Sequence, residues 1–349
     1  METAYQGFAQ QQPGDVIVLS ASDILSLLAG REKELIEVVR QAYIAHARGE
    51  SALPPSPFLR FANHPKNRII AKPAYLGENF ETAGIKWISS FPDNYQFGLL
   101  RASAVIILNS VKTGFAEAIL EGSVISAKRT AASAALAARL LQNETQPESI
   151  GIIACGVINF EITRFLLAEF PTVKNLVIFD IDHERAVQYK SRCETNFETP
   201  NITIANDINT VLSSTSIISI ATTETTPHIF EISACQPGSN ILHISLRDFS
   251  PEVILSCDNI VDDVEHICSA QTSVHLAEQK INHRHFIRGS IGDILCGKIL
   301  AKPTPSAITI FSPFGLGILD LAVAKLVHEW GIARNLGTVI PSFGCLPHE

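Results

Sequence analysis

The sequence predicts an α/β chain in which a doubly wound parallel sheet is joined to a smaller, strand-rich α+β unit. Three observations predict it. From Ser149 onward, short apolar runs alternate with helical patterns, as parallel strands do with the helices that cover them. One such unit, Ser149-Ile-Gly-Ile-Ile-Ala-Cys-Gly-Val-Ile-Asn-Phe-Glu161, reads as a buried strand entering a helix through a turn at Gly156. The region before it is dominated by strand patterns, so the two parts differ in architecture. At 349 residues the chain also exceeds the roughly 250–300 that one core supports, which suggests two domains.

In chain order, residues 1–15 are rich in Gln and Gly without periodicity and read as a frayed start. Val16 to Leu19 is a short apolar strand, and Ser22 is the expected cap of a helix over Asp23 to Leu28. Arg31 to Arg48 is a second helix, with Leu35, Val38, Val39, Ala42 and Tyr43 on one face. Pro54, Pro55 and Pro57 end that pattern. Antiparallel strands are expected near Phe58–Phe61, Arg68–Pro73, Ala83–Ser89 and Ala102–Asn109, with a hairpin turn near Thr113-Gly114. Ser123 to Leu141 is a long helix rich in Ala, the best helix former, and polar residues 142–148 stop it.

The strand at Ser149 then feeds a helix from Glu161 to Phe170. Strand Leu176–Asp180, helix His183–Cys193, strand Ile202–Ala205, a short helix near Ile208–Leu212 and strand Ser216–Ala221 follow. Strands Asn240–Leu246, Asn259–Asp262 and Ile308–Phe311 and an amphipathic helix from Ile318 to Trp330 complete the chain.

Composition narrows the function. A net charge of −8 argues against nucleic acid, which attracts basic faces. No clean apolar run approaches the roughly 20 residues that span a bilayer. The N-terminus has no basic stretch followed by an apolar core, so it does not read as a signal peptide. Seven scattered cysteines, never spaced C-x-x-C, read as reduced thiols of a cytoplasmic protein and exclude a zinc cluster. There is no Gly-x-Ser-x-Gly elbow and no Walker loop, which lowers hydrolase and NTPase readings.

The turn at Gly156 is a candidate dinucleotide site. A helix N-terminus offers free N–H groups and partial positive charge to a pyrophosphate, and missing side chains let it approach. About twenty-five residues on, Asp180 ends the next strand, where an acid meets the adenosine ribose. The three glycine positions read Ala154, Gly156 and Asn159, so only the middle one is kept; an ordinary strand–helix turn is the competing reading.

Lys86 lies in a strand otherwise filled by Ile and Trp, which is costly on a buried face unless the ammonium meets an anion; on the outer face it would snorkel into water. Arg129, in the Ala-rich helix, faces solvent or a cleft, and a guanidinium grips a carboxylate bidentately. Asp248, just past a strand end, is a candidate ligand-facing acid or a loop acid. Thr222 and Thr223, after strand Ser216–Ala221, touch a cofactor or simply end the strand. His283 and His285 lack an acid or Cys partner and read as solvated surface, and Asp262-Asp263 as a solvated turn.

Three stretches, Ala83-Gly-Ile-Lys-Trp-Ile88, Arg101-Ala-Ser-Ala-Val-Ile-Ile-Leu-Asn109 and Ser126-Ala-Lys-Arg-Thr-Ala-Ala-Ser133, occur in the order and spacing of the ornithine cyclodeaminase/mu-crystallin family, which the chain resembles from about Val16 to Leu336. The resemblance implies a homodimer with a Rossmann NAD-binding domain over residues 129–316. It also implies a substrate-binding and dimerisation domain over 1–128, completed by 317–349. It makes Lys86 and Arg129 carboxylate anchors with Arg60 as a third, Asp248 the catalytic aspartate with Lys86 beside it in the chemistry, and Asp180 the ribose acid. Ala154, Gly156, Val157, Ile158, Thr222 and Thr223 would contact NAD.

Phe58-Leu-Arg60, Arg68-Ile-Ile-Ala-Lys-Pro73 and Ile244-Ser-Leu-Arg-Asp248 look most like the branch that releases 2,3-diaminopropionate from N-(2-amino-2-carboxyethyl)-glutamate for siderophores and antibiotics. Cyclodeaminases carry a glutamate where this chain has Ile70, which argues against ornithine. A cyclodeaminase, a related amino-acid or imine reductase, or a non-catalytic binding protein remain the alternatives. The small-molecule substrate expected is an amino acid, with neither nucleic acid nor membrane as partner.

Overall fold

The computed structural model describes residues 14–142, 146–198 and 200–344; residues 1–13 and Cys345 lie outside them. Two compact units divide the chain, one of Met1–Arg129 with Leu316–Glu349 and one of Thr130–Gly315.

The first part runs β1 (Val16–Leu19), α1 (Ala21–Leu28), α2 (Glu32–Ala47), β2 (Ser51–Ala52), β3 (Phe58–Phe61), β4 (His64–Leu76), β5 (Thr82–Ser90), β6 (Ala102–Ser110), β7 (Ala116–Glu121) and α3 (Gly122–Leu141). The middle part runs β8 (Ser149–Ile153), α4 (Val157–Glu169), β9 (Asn175–Phe179), α5 (His183–Asn196), β10 (Asn201–Ile204), α6 (Ile208–Ser214), β11 (Ile217–Ile220) and β12 (Asn240–His243). Next come α7 (Pro251–Ser256), β13 (Asp258–Val261), α8 (Val264–Ile267), α9 (Ser273–Ile281), β14 (Ile287–Ser290), α10 (Ile291–Leu295) and β15 (Thr309–Ser312); α11 (Gly317–Arg334) and β16 (Thr338–Ile340) return to the first unit.

In the first unit the strands form one sheet in the order β16-β1-β7-β6-β5-β4-β2, with β3 beside β4. It is mixed rather than wholly antiparallel. β1 pairs β7 in parallel, while β4, β5, β6 and β7 are antiparallel neighbours. β4 and β5 are longer than expected, because ladder pairing runs unbroken from Arg68 to Leu76 against Thr82 to Ser90. The helix at Ala21 is capped by Ser20, whose hydroxyl accepts from the Asp23 N–H while Asp23 reaches back to Ser20, so Ser22 is not the cap.

α11 packs on one face of this sheet, and its residues from Gly317 to Ala324 are all buried. Gly84 on β5 makes that possible, since a Cβ there would run into the Ile107 carbonyl and lie 3.2 Å from Leu321.

The second unit holds the doubly wound sheet, ordered β10-β9-β8-β11-β12-β15-β13-β14 with every pair parallel. The chain runs outward from β8 to β10, then crosses to the far side of β8 with β11. The switch point therefore lies between β8 and β11, where sheets of this kind hold ligands at their carboxyl ends. β8 and β11 are buried along nearly their whole length, as expected for strands covered on both faces.

Candidate active site

In the first unit one acid collects the cations. Lys86 on β5 is 1% exposed, and its Nζ lies 2.7 Å from Asp320 Oδ2 as an ion pair while donating to Ser126 Oγ at 3.0 Å. Arg129 on α3 donates from Nε to the other oxygen, Oδ1, at 2.9 Å. The lysine is therefore on the inner face and not snorkelling, and Arg129 is buried rather than in solvent.

Asp320 is fully buried in the first turn of α11, where the helix dipole also favours an anion. Burial opposes its charge, but Arg129 and then Lys86 outweigh that and hold its pKa below the ordinary value. Burial also dominates at Lys86, aided by the Arg129 and Lys72 charges; it outweighs the pull of Asp320 and brings the ammonium from 10.5 down to about 7. A buried amine that titrates near neutrality can exchange a proton with a substrate. Arg60 is not part of this cluster: it is exposed on β3, opposite Arg68, with its guanidinium 5.5 Å from the Phe58 ring.

In the second unit Asp248 is fully buried and accepts from His243 Nε2 at 3.0 Å and from the Ser245 and Thr222 hydroxyls. Burial would raise its pKa, but the His243 hydrogen bond and charge, followed by the two hydroxyls, bring it down to about 2. His243 is itself buried, bonded through Nδ1 to Ser312 Oγ at 3.1 Å and packed on Phe249 at 4.7 Å. Leu246, in the left-handed region at φ 70°, turns the chain after β12, so the strand ends at His243 rather than at Leu246. Thr222 thus binds Asp248, and Thr223 is exposed.

At the switch point α4 begins directly after Gly156, several residues before Glu161. Gly156 is an extended N-cap with no side-chain capping bond, and a Cβ there would meet nothing within 4 Å. The first-turn residues Val157 and Ile158 stand at this open N-terminus. Asp180 accepts from the Cys155 N–H at 2.7 Å, which places the acid beside the turn. An uncapped helix end, an open glycine and an adjacent acid fit a dinucleotide pyrophosphate and ribose.

The left-handed residue is Ala154, at φ 75°, rather than Gly156. Asn159 does more than add bulk: its buried amide donates to the carbonyls of Ile153 and Ala154 at 2.8 and 2.7 Å, and its oxygen accepts from Ser219. It pins the turn in the conformation a glycine would adopt freely. Left-handed Ala costs about 1–2 kcal/mol, and glycine's extra chain entropy returns part of that. Ala154→Gly is therefore expected to raise the melting temperature slightly and leave NAD binding, measured by calorimetry, no weaker; a loss of either would show that the methyl supports the turn.

Asp320 and His243 escape sequence reading, since a helix acid and a strand histidine carry no local signal; Asn159 reads there only as a missing glycine, not as the side chain that holds the turn. Asp262, expected in a solvated turn, is instead 1% exposed and accepts from the Phe314 and Gly315 amides at 2.8 and 2.7 Å. Asp263 caps α8. Among the described residues no group of three His, Cys, Asp or Glu could hold a metal.

A parallel sheet with an open helix N-terminus at its switch point, an acid on the next strand, and a separate unit with a buried lysine–aspartate–arginine cluster define a Rossmann-type α/β protein of the amino-acid oxidoreductase kind. The chain belongs to the ornithine cyclodeaminase/mu-crystallin family, whose model matches residues 15–334. It is 27% identical to the N-((2S)-2-amino-2-carboxyethyl)-L-glutamate dehydrogenase of Staphylococcus aureus, over 93% of this chain and 98% of that one. It is equally 27% identical to the alanine dehydrogenase of Archaeoglobus fulgidus, over 94% and 99%. The Δ1-pyrroline-2-carboxylate reductase of Thermococcus litoralis, solved with NADH and L-proline, superposes with a TM-score of 0.85 at 25% identity, covering 92% of this chain and 99% of that one.

Proposed function

We propose that the protein is an NAD-dependent dehydrogenase that oxidises the secondary amine of N-(2-amino-2-carboxyethyl)-L-glutamate, releasing 2-oxoglutarate and L-2,3-diaminopropionate for siderophore or antibiotic synthesis. The observation that carries the reading is Lys86, buried against Asp320 and Arg129 and titrating near neutrality. The turn from Ala154 to Ile158 would hold NAD, with Asp180 on its ribose, and the nicotinamide would supply the acceptor for the hydride on the α-carbon of the glutamyl half. The carboxylate of Asp180 would repel a 2′-phosphate and so favours NAD over NADP.

The chain's own residues handle protons and charge. Neutral Lys86 takes one proton from the substrate's protonated secondary amine, and the freed lone pair forms the C=N bond as the C–H bond breaks, leaving an N-protonated, cationic imine. Arg129 holds a substrate carboxylate, a task a neutral amine does not perform. Asp248, with a pKa near 2, is too weak a base to carry protons at neutral pH; it is a fixed negative charge that stabilises the cationic imine. Water then adds to the imine carbon, and breaking the C–N bond yields the keto acid and the amine.

NADH absorbance on mixing protein, NAD and this substrate tests the reading, with ornithine and alanine in parallel. NADH and 2-oxoglutarate from the first alone are expected. NADH from alanine would favour the second reading, an amino-acid dehydrogenase like the equally similar archaeal relative; silence with all three would leave a binding protein. In the active direction, kcat/KM is expected to rise with pH up to about 7 and then level, and to lose that break in Lys86→Met. A profile falling above pH 7 would instead make charged Lys86 a carboxylate anchor.

We also propose a homodimer. On the sheet face away from α11, the cross-strand partners Trp87 and Val105 are 43% and 42% exposed, apolar surface that a second copy would cover. Sedimentation at the mass of one chain would rule this out. No helix among the described residues is long and apolar enough to cross a membrane, and a cytoplasmic site of action fits the reduced cysteines.

A further inference from the structure

Hydrolysis of the cationic imine needs a base that the oxidation does not leave free. Lys86 has by then taken up its proton, and Asp248, with a pKa near 2, holds none at neutral pH. Two imidazoles face Asp248 from within its own unit. His243 is fully buried, and its two nitrogens are committed to Asp248 and Ser312. His228 is the other. Its Nε2 lies 3.8 Å from Asp248 Oδ1, the oxygen that also accepts from the Thr222 hydroxyl, and its side chain is 31% exposed.

The backbone fixes that placement. The N–H groups of His228 and Ile229 donate to the Asp248 carbonyl at 2.9 and 2.8 Å, and the Ser250 N–H donates to the Ile229 carbonyl at 3.0 Å. Ile229 and Phe249, both buried, bridge the two segments. At 3.8 Å the ring is beyond hydrogen-bond reach of Oδ1, yet close enough for the carboxylate to stabilise a positive charge on it. Nδ1 is buried without a hydrogen-bond partner, which leaves Nε2 as the nitrogen able to meet water.

We propose that His228 is the general base of the hydrolytic step. Nε2 takes a proton from the water that adds to the imine carbon. The C–O bond forms as the second C=N electron pair moves onto nitrogen, giving a neutral carbinolamine. The imidazolium, held beside Asp248, then returns its proton to that nitrogen. The C–N bond breaks with its electrons on nitrogen, and the hydroxyl proton passes to the departing amine, leaving a ketone and an ammonium. An imidazole suits this exchange because it gains and loses a proton near neutral pH. The inference rests on the dehydrogenase reading above and adds the residue for its second step. Oxidation of alanine ends in the same hydrolysis, so either substrate reports on it.

Rapid mixing of the whole protein with NAD and N-(2-amino-2-carboxyethyl)-L-glutamate, and separately with alanine, divides the two steps, since NADH forms before the imine is hydrolysed. His228→Gln is expected to make its first NADH, about one per site, at the wild-type rate and then to turn over at least about tenfold more slowly. Its NADH affinity by calorimetry should stay within about twofold, which separates slow hydrolysis from tightened product binding. The urea midpoint should match the wild type, because the backbone of His228, rather than its ring, joins the two segments. A first NADH slowed as much as later turnovers would assign His228 to the hydride step, and no slowing of either phase would leave it without a role. Either result, with a wild type that makes NADH, overturns this proposal alone. A wild type that makes NADH from neither substrate overturns it together with the dehydrogenase reading.

Discussion

Asp320→Asn is expected to lower folding stability by about 3–5 kcal/mol, the loss seen when one partner of a buried ion cluster is removed. Asp320 is the acid between Lys86 and Arg129, and all three are at most 8% exposed at the side chain. Without it, two cations share a desolvated site. Lys86 escapes by shedding its proton, because the pull that Asp320 exerts on it is gone; Arg129 cannot.

The pH dependence follows from the sign of the Lys86 shift. Its folded pKa of about 7 lies below the ordinary 10.5, so between those values the unfolded chain holds a proton that the folded chain does not. The Lys86 contribution to stability therefore rises with pH across that window. Urea midpoints of wild type and variant at pH 6, 7 and 9 measure both effects. The deficit should shrink toward pH 9; a deficit under about 1 kcal/mol at all three would mean that the cluster is solvated.

Asp248→Asn is expected to lower kcat by about 10²–10³-fold, as removing a preorganised charge at a developing ion does. The loss should fall on kcat while NAD binding, proposed to rest on Gly156 and Asp180, stays within a factor of about two. The amide cannot accept from His243, Ser245 and Thr222 together, so a drop of about 1–3 kcal/mol in stability accompanies it. His243→Gln separates the two effects. It removes the imidazole that bonds Asp248 but leaves the carboxylate, so a loss smaller than that of Asp248→Asn is expected. Equal losses would make the histidine, not the acid, the reacting group.

Much of this architecture is legible in the chain. The alternation after Ser149 announces a parallel sheet because covered strands are apolar on both faces, and the turn before Val157 follows from that sheet feeding a helix. Lys86 is legible as a lysine that needs an anion if its face is buried; the sequence leaves the outer, snorkelling position open, and the fold decides between them.

Which anion it meets is not legible. Asp320 lies 191 residues beyond Arg129 and reaches it only because α11 packs flat against a sheet that Gly84 leaves open. His243 and Asn159 meet near neighbours in the chain, Asp248 and the Ile153 and Ala154 carbonyls, but each is also held by a serine from another strand, Ser312 and Ser219, which is not legible. Local sequence determines which segments are strands or helices, through periodicity and backbone preference. Tertiary packing decides which buried charges meet, and through them the protonation states on which the chemistry depends.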